Sequence, residues 1–468
     1  MTYDVVIIGS GLGGLECAVL LARRGKKVCV LEKQMAPGGS MQSIPRFGIR
    51  MDTGLHYVGG LDRGQSLHDH FNELGLLDIP WQRLDPDGFD LVTIAGDTFR
   101  FVQGFEQFAE TMGDYFPKER DALHGYVRML ESSGNMSPLE SSGAWDYLQQ
   151  QFHDDLLRNV LCGSSTKMEL NRDTLPLFVF AHINAPFIQS SWRLKGDGGI
   201  LVDKLVSEIH KYGGETYCNA NVTQFTEKDG LIANAVTDDG RCFEAKQFIS
   251  NAHPSVTADM IPECRPVKRS YRSRMAAMEN TFGLFTVSTQ IKPDTIKYFN
   301  QNKFIYSNAD VWDFYRKEGP VSGVMVCCRY PENGSEYTGN IDILTPMTYD
   351  RLSEWYGTRA GRRGDDYIAF KNSIADECIE LAETQLPGLK AAIAHRCISS
   401  PLTWRDYNGN PEGSAYGARK DWHSPLLSYL SPATPVANLF NTGQSLVLHG
   451  LQGVTATAFE TVRLLTNK

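Results

Sequence analysis

The fold is decided by residues 3–33, which read YDVVIIGSGLGGLECAVLLARRGKKVCVLEK. The apolar run Tyr3–Ile8 has the length of a buried strand in a parallel sheet. A glycine-rich turn of the pattern G-x-G-x-x-G comes next, and apolar residues then recur at helical spacing until Gly25. A second apolar run at 27–31 ends at Glu32. The sequence therefore predicts a strand, a glycine turn, a helix, a strand and an acidic residue, in that order.

Each part of this unit has a physical role in binding a dinucleotide. Gly9 permits the sharp turn, Gly11 lets the backbone approach a pyrophosphate, and Gly14 lets the helix pack close to the strand. The free N–H groups at the helix start attract phosphates. Glu32 is placed to accept hydrogen bonds from a ribose diol. A purely structural turn is the alternative, but the strand, helix and acid together favour a dinucleotide site.

Length and composition limit the class of protein. At 468 residues the chain predicts two domains, and its net charge of -9 disfavours nucleic acid as a partner. The ten cysteines form no C-x-x-C pair, so neither a metal site nor a disulfide framework is predicted. The glycine turn lies close to the start of the sequence and no apolar run could span a bilayer, so we expect a cytoplasmic protein.

The apolar spacing changes along the chain and predicts a second domain. Residues 76–189 show mostly helical spacing, whereas 281–345 contain three runs with the character of strands. This order indicates an antiparallel sheet covered by helices. A further helix is predicted over 367–386. The predicted boundaries are a discontinuous nucleotide-binding domain of 1–75, 196–260 and 400–468, and a substrate domain of 76–195 and 261–399.

Further motifs carry a family resemblance. Pro37-Gly38-Gly39 and Asp52-Thr53-Gly54 follow the first unit, and SPLTWRDYNGNPEGSAYG occupies 400–417. Together these segments resemble the FAD-dependent family of phytoene desaturases, carotenoid isomerases and retinol saturases, within the amine oxidase superfamily. The resemblance implies an α/β fold: a Rossmann-like FAD-binding domain of the glutathione-reductase type, with an α+β substrate domain built on an antiparallel sheet.

The resemblance also implies that FAD is the cofactor and indicates its binding residues. The loop after Glu32 wraps the FAD, and Val222 holds the adenine through its backbone. The last helix starts near Gly453 and Val454, where N–H groups would stabilise negative charge on a reduced flavin. The complete predicted set is Gly9, Gly11, Leu12, Gly14, Glu32, Lys33, Gly38, Gly39, Ser40, Val222, Asn251, Gly443, Gly453 and Val454.

Members of this branch act on apolar conjugated polyenes and related lipids, by hydride exchange at carbon or by isomerisation of double bonds. We therefore expect an oxidoreductase of this kind, acting as a saturase, desaturase or cis-trans isomerase. His56, His449 and Arg405 are the candidates for proton transfer or polar contacts with the flavin. A histidine that only satisfies its neighbours' hydrogen bonds is the alternative. No second G-x-G-x-x-G unit is present, so the electron donor or acceptor is not indicated.

A polyene is nearly insoluble in water, which predicts that the protein collects it at a membrane surface through an exposed apolar patch. Residues 175–180, with the sequence LPLFVF, are the predicted patch.

Two other functions fit parts of the pattern. A flavin amine oxidase would need an aromatic pair beside the flavin, for which Trp404 and Tyr407 are candidates, but the segment 400–417 favours the polyene enzymes. A prenyl- or lipid-binding escort protein has a related fold without flavin, and Glu32 with Gly450 and Gly453 argues against it.

Overall fold

The computed structural model describes residues 2–331 and 334–467. Its helices, numbered in chain order, are α1 Leu12–Arg23, α2 His68–Leu74, α3 Phe105–Tyr115, α4 Arg120–Glu131, α5 Ala144–Gln151, α6 Asp155–Leu161, α7 Leu177–Gln189, α8 Gly199–Lys211, α9 Pro254–Met260, α10 Arg269–Ala276, α11 Gly364–Glu383, α12 Leu389–Ala392, α13 Pro401–Asn408, α14 Pro425–Ser428 and α15 Gly450–Thr466.

The strands are β1 Tyr3–Ile8, β2 Val28–Leu31, β3 Ser43–Arg46, β4 Ile49–Asp52, β5 Val58–Gly59, β6 Trp81–Arg83, β7 Asp90–Ile94, β8 Asp97–Phe101, β9 Ser191–Leu194, β10 Glu215–Tyr217, β11 Val222–Lys228, β12 Leu231–Thr237, β13 Cys242–Ser250, β14 Gly283–Ile291, β15 Asn302–Tyr306, β16 Gly323–Cys328, β17 Asn340–Met347, β18 Ile393–Ser399 and β19 Leu439–Asn441.

The first sheet has the order β10-β2-β1-β13-β12-β11 in the described part of the chain, and β19 pairs with β13. Its parallel strands β1 and β2 are almost continuously apolar and buried, as expected where helices cover both faces. Helices α1, α8 and α15 pack together on this sheet through one apolar cluster. The sheet brings the carboxyl ends of β1, β2, β13 and β19 to one edge, where an open α/β sheet binds its ligand.

The second sheet has the order β18-β14-β17-β16-β15-β7-β8. Its pairs are antiparallel except for β15 with β7, which are parallel. One face packs against α11 and α12, and the other packs against the helices α3 to α7. The predicted combination of a Rossmann-like domain with an α+β domain on a mainly antiparallel sheet is therefore confirmed.

The predicted helical character of 76–189 is wrong for β7 and β8. The hairpin of these strands lies at the edge of the second sheet, where β7 pairs with β15 more than 200 residues later in the chain. Such a short strand is stabilised by pairing with distant segments, and its local apolar spacing does not distinguish it from a short buried helix.

The predicted exposed patch at 175–180 is also wrong. Leu175, Phe178, Val179 and Phe180 are all buried, and they belong to the apolar cluster between α7 and the second sheet. An apolar run of this composition is as typical of a core helix as of a surface patch. Of the helices that the structure describes, none is both long and apolar enough to cross a membrane.

Candidate functional site

One large cavity of about 440 Å³ lies between the two sheets. We call its two parts the nucleotide end and the apolar end. The nucleotide end is formed by the glycine turn after β1, the loop after β2 and the start of α15. The apolar end is formed mainly by side chains of the second sheet and of α7, which include Ile183, Phe187, Leu284, Met325 and Leu344. Tyr57, which precedes β5, also contributes. The cavity therefore places a nucleotide-type site next to an apolar site, with one continuous space between them.

The glycine turn leaves no room for side chains at its critical positions. A Cβ at Gly14 would lie 2.1 Å from the carbonyl oxygen of Gly9, and Gly9 itself has a φ of +88°. A Cβ at Gly11 would lie 2.7 Å from the side-chain nitrogen of Asn251, on the neighbouring strand end. These approaches keep the start of α1 close to β1 and leave its backbone open to the cavity. The roles expected of the glycines fit this geometry.

The Glu32 carboxylate lies at the carboxyl end of β2, and its side chain is buried at the cavity wall. Its Oε2 accepts hydrogen bonds from the Ser10 N–H at 3.0 Å and from the Ser10 hydroxyl. Its Oε1 accepts one from the Gln34 N–H at 2.9 Å. A carboxylate has about four lone-pair positions, so it retains capacity for a ribose hydroxyl while being held against the glycine turn.

Most of the predicted cofactor-binding residues meet at the cavity. The lining ones are Gly9, Gly11, Leu12, Glu32, Lys33, Gly39, Ser40, Val222, Asn251, Gly443 and Val454. Three others lie behind the wall, where they allow close packing. A Cβ at Gly38 would lie 2.7 Å from Val202, and one at Gly453 would lie 2.5 Å from the Leu448 backbone, while Gly14 packs on Gly9 as described.

Two helix starts face the cavity with free N–H groups. The N-cap residues Gly11 of α1 and His449 of α15 make no side-chain capping bond. Neither first turn contains an acidic residue that would repel an anion. Both turns contribute residues to the cavity lining. Gln452, in the first turn of α15, has a buried side-chain oxygen with no hydrogen-bond partner among the described residues. Uncapped helix starts fit an anionic ligand such as a dinucleotide, and the unpaired amide oxygen fits a hydrogen-bond donor on the same ligand.

His56 lines the apolar end and is part of a buried polar cluster. Its Nδ1 lies 3.4 Å from the Cys327 Sγ, and its Nε2 is buried without a partner in the described chain. Cys327 and Asp342 are directly opposite each other on β16 and β17. Burial, together with the Arg193 guanidinium, lowers the pKa of His56, while Asp342 acts in the opposite direction. The histidine is therefore neutral at pH 7.

The same cluster has ligand atoms of the types that bind metals. One atom each of His56, Cys327 and Asp342 lie within 4.8 Å of one another. However, Arg193 and Arg329 bring two positive charges close enough to lower the pKa of His56. This charge disfavours a bound cation and favours a hydrogen-bonded network.

His449 and Arg405 have different surroundings. His449 lines the cavity, but its Nε2 donates to the Lys167 carbonyl at 3.0 Å, and burial lowers its pKa to about 4. Arg405 does not line the cavity. Its guanidinium donates to the Tyr349 hydroxyl and the Tyr356 carbonyl at 2.9 and 2.7 Å. His449 is therefore neutral at pH 7, and Arg405 binds the loop before α11.

Lys167 is a cavity residue that sequence reasoning missed. It lies in a short 3-10 turn before α7, with its Nζ 4.3 Å from the centre of the Phe187 ring and 3.6 Å from Asp90. The Asp90 carboxylate also accepts a hydrogen bond from the Tyr57 hydroxyl at 2.9 Å. The sequence offered little signal, because Lys167 and Asp90 come from separate segments and join only when the second sheet forms.

Comparisons with known proteins agree with this geometry. The NAD(P)-binding Rossmann-like domain family matches residues 7–74. Human all-trans-retinol 13,14-reductase is 22% identical, over 96% of this chain and 83% of its own length. Prolycopene isomerase 2 of an Oncidium hybrid cultivar is 25% identical, over 98% of this chain and 82% of its own length. A solved mutant of putrescine oxidase has a TM-score of 0.67 at 15% identity, with both chains fully covered. The predicted resemblance is confirmed: along nearly its whole length the chain is similar to a retinol 13,14-reductase and a prolycopene isomerase, and it shares its fold with putrescine oxidase.

Proposed function

We propose that this protein is an FAD-dependent oxidoreductase that acts on carbon–carbon double bonds of an apolar conjugated polyene or related lipid, as a saturase, desaturase or isomerase. The observation that carries the proposal is the single cavity that joins a dinucleotide-type end to an apolar end. The names of the homologues, a retinol reductase and a carotenoid isomerase, support the same class of substrate.

The chain's own residues account for binding. Glu32 would hold the adenosine ribose, and the free N–H groups of α1 would face the pyrophosphate. The N–H groups at Gly453 and Val454, in the first turn of α15, would balance negative charge on the ring system. When bound, FAD supplies hydride exchange at carbon. The residues named for the apolar end would exclude water and hold the polyene in place, and His56 would give it a polar contact.

The amine oxidase alternative needs an aromatic pair beside the substrate, and the positions of Trp404 and Tyr407 do not favour it. Tyr407 is 53% exposed, and its carbonyl accepts a hydrogen bond from Gln34, in the loop after the ribose-binding acid. The neighbouring Asn408 donates to the Ser40 hydroxyl at 3.0 Å. Tyr407 and Asn408 are therefore bonded to the loop of the nucleotide end.

A spectroscopic titration tests the proposal. The purified protein should absorb near 450 nm, as oxidised flavins do. After anaerobic reduction, addition of all-trans-retinol or a poly-cis carotene should reoxidise the flavin if the enzyme is a saturase, and should change only the geometry of the polyene if it is an isomerase. A desaturase would instead reduce the oxidised flavin when a more saturated polyene is added. A colourless protein that takes up no flavin would overturn the proposal.

A further inference from the structure

Lys167 is not among the residues predicted from the sequence, yet it places a buried ammonium group beside the cavity. Its side chain is only 7% exposed, and the Asp90 carboxylate beside it is fully buried. An isolated buried ammonium group is costly, so a partner and a reason for the position are both expected. Asp90 is the partner, with its Oδ2 3.6 Å from the Lys167 Nζ. The ring centres of Phe187 and Tyr57 lie 4.3 and 5.8 Å from the same nitrogen. Lys167 is also one of the residues that line the cavity.

The Asp90 carboxylate is held in place from three sides. The Tyr57 hydroxyl donates to Oδ2 at 2.9 Å, and the Asn302 amide donates to Oδ1 at the same distance. The side-chain oxygen of Asn302 in turn accepts from Arg193 at 2.7 Å. Asp90 therefore cannot rotate away from Lys167 without breaking two buried hydrogen bonds, each of which is costly to leave unmade.

Lys167 is also tied to the helix start that faces the cofactor site. The carbonyl of Lys167 accepts a hydrogen bond from His449, the residue that immediately precedes α15. The His449 ring packs against Tyr416 with 4.3 Å between ring centres, and the Tyr416 hydroxyl donates to the Thr166 carbonyl. The main chain at Lys167 therefore contacts the start of α15, while its ammonium group lies beside Asp90 and the Phe187 ring at the apolar end. This is the region where a flavin ring and a polyene would be in contact under the proposed function.

We infer that Lys167 is the catalytic acid that gives a proton to one carbon of the polyene double bond, and that Asp90 is its positioning residue. This inference rests on the proposed function. The Nζ–H bond of Lys167 breaks, the π electron pair forms a new C–H bond with that proton, and the ammonium becomes an amine. The other carbon receives a hydride from reduced flavin, which is oxidised by this two-electron transfer. The amine then regains a proton from solvent.

The electrostatic environment suits this role. Burial lowers the pKa of Lys167 to about 8, while Asp90 acts in the opposite direction. A general acid is most effective when its pKa lies near the working pH. The other titratable groups around Lys167 are Tyr57, Tyr416 and His449, with Arg193 beyond Asn302. Burial raises the pKa of both tyrosines well above the usual value and leaves His449 neutral, so Lys167 is the group among them that changes charge near pH 8.

Turnover of all-trans-retinol by the holoenzyme with reduced flavin, in D₂O, gives the first test. Wild-type product should carry deuterium at both carbons of the former double bond, because the Lys167 ammonium and the transferable hydrogen of reduced flavin both exchange with D₂O. Lys167→Met should lower kcat by about 100-fold or more, the usual range for loss of a general acid, with KM within threefold and flavin content unchanged. Lys167→Arg should lower kcat as well, because an arginine does not release its proton.

The matched control is Lys195→Met, which removes an exposed lysine over the Tyr330 ring and should leave kcat unchanged. A rise in KM alone, or kcat within threefold of wild type, would overturn the inference.

A second readout does not depend on activity. Protein grown with lysine labelled at the ε-carbon gives one NMR signal per lysine, and the signal missing in Lys167→Arg identifies Lys167. Its titration midpoint should lie near pH 8 without added flavin and should fall in Asp90→Asn, because a favourable negative charge is lost. A midpoint near the ordinary lysine value of about 10.4 would contradict the inference. A wild-type enzyme that converts no polyene would overturn the proposed function, and the NMR titration would still decide the ionisation of Lys167.

Discussion

The nucleotide end and the apolar end of the cavity are built from different chemical groups. The nucleotide end is largely a main-chain site, made of glycine backbone, helix N–H groups and one carboxylate. The apolar end is a side-chain site, in which groups from distant segments, such as His56 with Cys327 and Lys167 with Asp90, form buried pairs. A main-chain site depends on a short local sequence, whereas a side-chain site depends on the completed fold. Changes at the two ends should therefore have separable effects.

The largest effect is expected at the main-chain end. Gly14→Ala would place a Cβ 2.1 Å from the Gly9 carbonyl oxygen, so α1 must move away from β1. We expect the purified variant to retain less than about a tenth of the wild-type flavin and to lose about 3 kcal/mol of folding free energy or more, a typical cost of severe overpacking. The ratio of absorbance at 450 and 280 nm measures the flavin content, and the thermal unfolding temperature measures the loss of stability.

A control for this change is Gly357→Ala, at an exposed glycine whose added Cβ would contact nothing within 4 Å. It should leave flavin content and unfolding temperature unchanged. Wild-type flavin content in Gly14→Ala would contradict the main-chain interpretation.

The contrast between the ends explains what the sequence could predict. The glycine turn, Glu32 and the closing helix α15 each occupy a few consecutive residues, and the strand or helix beside them shows in the local apolar spacing. Val222 and Asn251 could be added through the family resemblance, and both line the cavity. The three strand-like runs predicted within 281–345 correspond to β14, β16 and β17, because each is a compact apolar run.

Sequence reasoning failed where function depends on tertiary pairing. Lys167 carries no local signature, and its partner Asp90 lies on β7, a strand that the helical spacing concealed. Arg405 is a predicted site residue, yet it does not line the cavity, and its hydrogen bonds to Tyr349 and Tyr356 hold a loop. His56 does line the cavity, but its partner Cys327 lies on β16, far away in the sequence, so this pair exists only in the completed fold.

Glu16 is an exception to the contrast, because it is a side-chain acid buried at the main-chain end. It lies on α1, accepts a hydrogen bond from the Thr455 hydroxyl at 2.7 Å, and has a pKa raised to about 8 by burial. The unfolded chain loses this proton near pH 4.5, while the native state keeps it until about pH 8. The contribution of Glu16 to the free energy of unfolding is therefore fully present below pH 4.5 and is lost as the pH rises toward 8.

Glu16→Gln should remove this pH dependence with little change in shape. At pH 7 it should raise the free energy of unfolding by an amount on the order of 3 kcal/mol, since each pKa unit corresponds to about 1.4 kcal/mol. Near pH 4 the two proteins should be about equally stable. Thermal unfolding at pH 4, 6 and 8 measures the difference, and a constant offset across this range would show that Glu16 is ionised in the native state.

A smaller effect is expected at Glu32, where one side chain completes the main-chain site. Glu32→Ala should weaken flavin retention by about 1–3 kcal/mol, or about 5- to 150-fold in dissociation constant, because a ribose hydroxyl loses its acceptor. Glu32→Gln keeps the shape of the side chain and one acceptor oxygen, so its affinity for flavin should lie between those of the wild type and the alanine variant. Flavin occupancy after repeated dilution measures the effect, and full occupancy in the alanine variant would remove Glu32 from the cofactor site.

The smallest effect is expected at Cys327, and it tests whether the apolar end acts without disturbing the nucleotide end. Burial raises the pKa of the Cys327 thiol, so the thiol stays protonated, and its Sγ lies 3.4 Å from the His56 Nδ1 and 3.8 Å from the Asp342 carbonyl oxygen. The hydrogen bond between Sγ and Nδ1 holds the His56 ring in place at the apolar end. Cys327→Ala removes this bond and should lower kcat about fivefold, the equivalent of one hydrogen bond of about 1 kcal/mol. Cys327→Ser keeps a donor at the same position and should restore most of the rate.

Flavin content should be equal in the wild type and both variants, because neither change reaches the glycine turn. A loss of flavin that parallels the loss of rate would show that the two ends are coupled.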